Sequence, residues 1–281
     1  MFANVFTKTT LDRWKPPLIA AVSLAVLLVF GMAVYRGIDV SFWDELPEAF
    51  RSVFGIPDGA DVGGLAYGAI YSGYGMLTMA AVALAGGAVS IAGEEKNGTI
   101  GLLLGNPESR TNMALSKAAA LVAVTAVAFI ILWLAAIATP MVLDVEIGTM
   151  DVNALVVMMF VNAIFYGMFA FALSGWTGKS SVAAGVSAGV MVISFIAVGL
   201  LPLIDEVAGL AKFFPWYYFS GSDPLLNGIS WGDFTILLAG AVVFLVVGVI
   251  GVSRRDLRSQ SVGTKMIDRL RANPMTHKAA E

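Results

Sequence analysis

Apolar residues in this chain come in long runs, and polar residues are confined to the punctuation between them. Six runs reach the length of about 20 residues that a helix needs to cross a hydrocarbon core. They are Leu18–Tyr35, Leu65–Ala92, Ala118–Leu143, Val152–Leu173, Ser181–Leu203 and Phe234–Val252. Backbone polar groups in hydrocarbon must satisfy one another within a segment, so the runs predict helices. The expected fold is an all-α integral membrane bundle of six spans forming one domain over 1–281. Residues 1–17 are an interfacial lead, 18–252 the bundle and 253–281 a basic tail.

The punctuation carries patterns of its own. The lead "FANVFTKTTLDRWKPP" places Phe2, Val5, Phe6 and Trp14 roughly on one helical face. Lys8, Arg13 and Lys15 are available for anionic head groups, so the lead predicts a helix lying at the membrane surface. Pro16 and Pro17 then turn the chain into the membrane. The lead is long, and "GMAVYRGID" offers no small-x-small cleavage site, which argues against a removed signal peptide. "SFWDELPEAFRSVFG" spaces Phe42, Leu46, Phe50 and Phe54 for a short amphipathic helix ended by Gly55. "DEVAGLAKFFPWYYFSGSDPLLNG" is aromatic, broken by Pro215 and Pro224, and too polar to span. It can dip into the membrane only where protein covers its backbone.

Composition narrows the chemistry. Of 281 residues 58% are hydrophobic and 13% charged, and the mean hydropathy is +0.82, so lipid is the main solvent. There is no cysteine and one histidine, His277, which excludes cysteine or histidine metal centres and histidine-based triads. A net charge of −3 gives no footprint for nucleic acid. Fourteen of the seventeen Lys and Arg residues lie in the lead, the second-to-third connection, the fourth-to-fifth connection and the tail. The positive-inside rule therefore predicts cytoplasmic termini. The six runs hold no Asp, Glu, Lys, Arg or His, against the expectation for a proton-driven pump.

Some motifs lead nowhere. "GWTGKSS" looks like the end of a phosphate-binding loop, but Leu173 stands where the first glycine is needed, and the stretch joins two spans. No ATP site is visible in this chain. Asn97–Thr99 matches a glycosylation acceptor on the predicted cytoplasmic side, where it is silent. Tyr67, Tyr71 and Tyr74 form a stripe on the second span, and Asn162 and Tyr166 a polar pair on the fourth. Either set lines a pathway or serves anchoring and interhelical hydrogen bonds. Ser181, Gly185 and Gly189 stand at four-residue spacing on the fifth span, a pattern for close helix packing within one subunit or between two.

The second-to-third connection, "GEEKNGTIGLLLGNPESRTNMALSK", is longer than a plain link requires. Gly98 permits a sharp turn and Thr99 caps a short helix through Leu104. Ile100, Leu103 and Leu104 make an apolar face. Asn106 caps a second helix with Pro107 at its first position, Glu108 near its positive end, and Arg110 and Lys117 at the membrane surface. A solvated link resting on lipid is one reading of this hairpin. A knob that buries its leucines in a soluble partner is the other.

The pattern Glu94-x-x-x-Gly98-Thr99, Leu102-Leu103-Leu104, Pro107-x-Ser109-Arg110 and Lys117 closely resembles the ATP-binding-cassette type-2 permeases. "TLDRW" and "FPWYYFSGSDPLLNGISWGD" are similar to that family's amphipathic lead and its region before span six, so the likeness covers nearly the whole chain. The resemblance implies an exporter subunit that pairs with a second permease, a homodimer in preference to a heterodimer. Separate ATPase subunits that bind ATP and Mg would drive it, with no cofactor in this chain and no catalysis by it. It places Glu94, Gly98, Thr99, Leu103, Pro107 and Arg110 at or under the ATPase contact, in a coupling helix. Tyr71, Tyr74, Asn162, Tyr166, Gly185 and Gly189 are left as pathway or packing candidates. The implied location is a prokaryotic-type plasma membrane. A passive channel or ion-coupled carrier, and a non-transporting membrane scaffold, are the alternative functions.

Overall fold

The computed structural model describes residues 2–37, 45–47, 51, 61–97 and 109–255. The expected outer helix around Ser41–Gly55 falls mostly outside these residues, as does the tail beyond Arg255. The described chain is all-helical, and six of its helices are long and apolar enough to cross a membrane. In chain order, α1 is Phe2–Arg13 and α2, the first span, is Lys15–Tyr35. The second span is α3, Val62–Ser90, followed by a short α4, Ala92–Asn97. The remaining spans are α5 (Arg110–Leu143), α6 (Val152–Thr177), α7 (Ser180–Leu200) and, after two short helices, α8 (Tyr217–Ser220) and α9 (Pro224–Asn227), α10 (Trp231–Arg254).

The helix ends follow local chemistry. Pro16 and Pro17 open α2, where a missing N–H costs nothing. Ser109, Asp151 and Ser230 cap α5, α6 and α10 with side-chain oxygens that accept from the backbone N–H three residues on. Gly178 ends α6 with a left-handed φ of 63°. The third span starts with Ser109 as its extended cap and Arg110 as its first helical residue. A helix capped by Asn106 is therefore not how this span begins; the serine hydroxyl supplies the capping acceptor three residues later.

Span four is the axle of the bundle. Its central window is 78% buried, against 22% for span one and 28% each for spans five and six. It packs on α3, α10, α7 and α5. Small residues permit the two closest approaches. A side chain at Gly87 would land on the Gly167 carbonyl, and a Cβ at Gly175 would lie 2.6 Å from the Gly248 oxygen. In lipid, helix association rests on such van der Waals fit, because the tails are as apolar as the side chains.

Two polar devices hold the half of the bundle away from α1. Pro140 lies inside α5 and cannot donate to the carbonyl four residues back, which leaves the Ala136 oxygen short of a donor. The Tyr67 hydroxyl donates to that oxygen at 2.5 Å, and one turn away Tyr71 donates to the Leu132 oxygen at 3.0 Å. The segment after α7 packs inward as well. Trp216, Phe219 and Leu225 are buried, and the Asp151 N–H donates to the Leu225 oxygen at 2.7 Å. The Trp216 ring centre lies 6.2 Å from that of Tyr166, a residue about 21 Å along α6 from its start.

Candidate functional site at the basic end of the bundle

The chain leaves the bundle after α4 and returns at α5, and these two roots are tied to the elements around them. Ala92, at the start of α4, donates its N–H to the Ser174 hydroxyl of α6 at 3.0 Å. Glu94 and Glu95 follow in the first turn of α4, and being adjacent on a helix they face different neighbours. Lys117 of α5 binds the Glu94 carboxylate at 2.8 Å. Arg255, after α10, donates to the Glu95 carboxylate. One short helix thus carries two carboxylates, each engaged by a different span.

The surroundings extend this collar. Arg13 of α1 donates to the Val89 oxygen at 3.1 Å. Burial lowers the Arg13 pKa from its ordinary value, while Glu94 and Asp12 act to raise it, so it stays a cation. Arg110 at the other root donates to the Arg255 oxygen at 2.9 Å. Gly178 in the α6–α7 turn lies under the Arg255 guanidinium, which occupies the place a side chain at 178 would take. The α6–α7 turn therefore needs glycine twice over, for its positive φ and for the arginine above it.

The sequence candidates divide accordingly. Glu94 and Arg110 belong to the collar. Gly98, Thr99, Leu103 and Pro107 lie outside the described residues. Lys117, expected at the lipid surface, is instead 1% exposed. It lies two turns inside α5, opposite Glu94. Glu95, Arg255, Arg13, Ser174 and Gly178 were not among the sequence candidates. The signals for them were a second carboxylate beside Glu94, an arginine pair closing the last span, and a glycine whose phosphate-loop resemblance drew attention from its role as a stop.

The pathway candidates are scattered. Tyr71 is fully buried and spent on α5. Tyr74 is 52% exposed, so the tyrosine stripe is broken. The cause is that Ala66–Gly75 is wound as a π-helix; each residue then advances less than the α-helical angle of about 100°, and Tyr74 leaves the face of Tyr67 and Tyr71. Asn162 and Tyr166 are fully enclosed within the chain, and the Asn162 amide has no hydrogen-bond partner among the described residues. Gly185 and Gly189 face open space: a Cβ at either position would meet nothing of the described chain within 4 Å. No cluster of His, Cys, Asp and Glu among the described residues could hold a metal ion.

Among known families, one described as "ABC-2 family transporter protein" matches residues 3–257. No curated protein matches the chain.

Proposed function

The chain belongs to the ABC-2 family of transporter proteins and is a membrane permease component; from that premise we propose that it is the permease half of an ATP-driven exporter. Two such chains form the pathway, and separate ATPase subunits, which bind ATP and Mg, push on the segment 98–108. Both termini and the basic end then face the cytoplasm. The permease itself performs no covalent chemistry; it offers its partner two states with different contacts.

The observation that carries this reading is the collar. Both roots of the 98–108 segment are fixed by charge to α5, α10 and the residues beside them. A push on the segment is therefore delivered to spans two, three and six together instead of being lost in a loose loop. Leu103 is the residue proposed to bury in the ATPase, with Gly98 making the turn, Thr99 and Pro107 shaping the helices, and Glu94 and Arg110 holding their bases. The open faces of Gly185 and Gly189 suit them to the meeting of two chains. Asn162 and Tyr166 suit internal packing better.

The test is reconstitution with the ATPase subunit in vesicles. Leu103→Asp abolishes capture of the ATPase, and Arg255→Met leaves capture and ATP turnover in place while uncoupling them from transport. Transport that persists without ATPase or nucleotide would overturn the reading in favour of a channel or ion-coupled carrier.

A further inference from the structure

A cleft of about 860 Å³ lies between α1, the start of α2, and the α1-side halves of α3 and α5. Its volume falls in the range of about 300–1,000 Å³ seen for small-molecule sites. Its two ends differ in chemistry. The lining holds Lys8, Arg13 and Lys117 against Asp12 and Glu94; with Lys117 taken up by Glu94, Lys8 and Arg13 face Asp12 alone, leaving one positive charge in excess. Lys8 and Arg13 are both near enough to act electrostatically on Lys117. The rest of the lining is mostly apolar, with Thr9, Thr78 and Ser90 as its polar members; Ala81 and Ala85 are its small residues on α3, and Leu121 and Val124 its bulky ones on α5.

The α3 wall explains the shape. Tyr74, Thr78, Ala81 and Ala85 are its exposed positions, spaced four, three and four apart, so they form one stripe along the helix. The side chains shrink toward α1, and the stripe deepens into a slot there. A cleft that is mostly apolar along two spans and basic beneath the surface helix suits one amphiphile, with a tail along the helices and an anionic head at the lead.

We propose that this cleft is a binding site for an anionic phospholipid of the leaflet in which α1 lies, with its phosphate at Lys8 and Arg13 and an acyl chain against Ala81 and Ala85. The bilayer supplies this molecule at high local concentration, and basic residues at a membrane surface favour anionic head groups. The bound lipid fills the space between α1 and α3, next to the Glu94–Lys117 pair, so it braces the collar. The site does not depend on the chain being driven by an ATPase.

Native mass spectrometry on the purified full-length permease released from phosphatidylcholine nanodiscs containing a minor share of phosphatidylglycerol tests this. The wild type retains one phosphatidylglycerol per chain in preference to phosphatidylcholine. Ala85→Phe, which fills the slot, loses the retained lipid. Lys8→Gln, on an exposed position that no packing depends on, lowers the preference for phosphatidylglycerol about fivefold. Retention without preference in the wild type, or unchanged retention in Ala85→Phe, overturns the proposal. If Ala85→Phe fails to fold, Ala81→Leu and Lys8→Gln decide it, and an unchanged preference in both overturns it equally.

Discussion

Spans four and five are both apolar throughout and are joined by a single turn, yet one is the axle of the bundle and the other a face of it. Each carries small residues at the spacing associated with close helix contact. In span four, Gly167 and Gly175 meet the backbones of α3 and α10. In span five, Gly185 and Gly189 meet nothing of their own chain among the described residues. The same local pattern thus serves two destinations. What separates them is the neighbour: a helix with its own small residue at the same level allows two backbones to touch, and Gly87 and Gly248 supply that for span four alone.

The sharpest way to break this contrast is to put a side chain where two backbones touch. Gly87→Leu forces α3 away from α6, because the obstacle is the Gly167 carbonyl and the Phe171 N–H rather than a movable side chain. Overpacking of this kind costs about 3 kcal/mol or more. The expected result is loss of folded protein in detergent thermal-unfolding assays. A variant that unfolds within a few degrees of the wild type would show that spans two and four do not pack as described.

Next in size is the ion pair between α4 and α5. Lys117 is 1% exposed and Glu94 20% exposed. Removing one partner of a buried pair strands the other charge, and partial exposure of Glu94 reduces that penalty. Lys117→Met should cost about 2 kcal/mol, and the double variant Lys117→Met with Glu94→Gln should recover much of it. Additive losses in that double-mutant cycle would show that the two residues act separately.

The six spans were legible because hydrocarbon sets a length and forbids charge, and both are one-dimensional properties. Which span sits at the centre was not legible, because in lipid every helix is equally greasy and only fit decides. Lys117 was misplaced because its partner comes from another helix: Glu94 of α4 lies opposite it across the connection, which no pattern within α5 displays. Tyr74 was misplaced because the stripe was read with α-helical spacing across a π-wound stretch. The Arg255–Glu95 contact joins residues 160 positions apart, beyond any local pattern. The Tyr67–Ala136 bond was within reach, since Pro140 announces a carbonyl in need of a donor four residues earlier.

A smaller effect sharpens the view of span four as interior. The Asn162 amide is enclosed without a hydrogen-bond partner among the described residues, and an unsatisfied buried polar group costs about 1–3 kcal/mol. Asn162→Leu, which keeps the branching of the side chain, should raise stability by about 1 kcal/mol in the same unfolding assay. Destabilisation instead would show that the amide makes an internal bond that the leucine cannot replace.

The smallest expected effect on the single chain is also the most informative about span five. Gly185→Leu places a side chain in open space, so the stability of one chain should move by no more than about 0.5 kcal/mol. The same change fills the face proposed to meet a second permease, where a leucine denies the close approach that glycine permits. The expected outcome is a chain that folds and inserts normally but no longer cross-links to its twin through a cysteine placed at Val182 in the otherwise cysteine-free background. A parent chain that forms no cross-link at Val182 would place the second permease against another span, and a Gly185→Leu chain that cross-links as efficiently as its parent would show that the contact does not pass through Gly185.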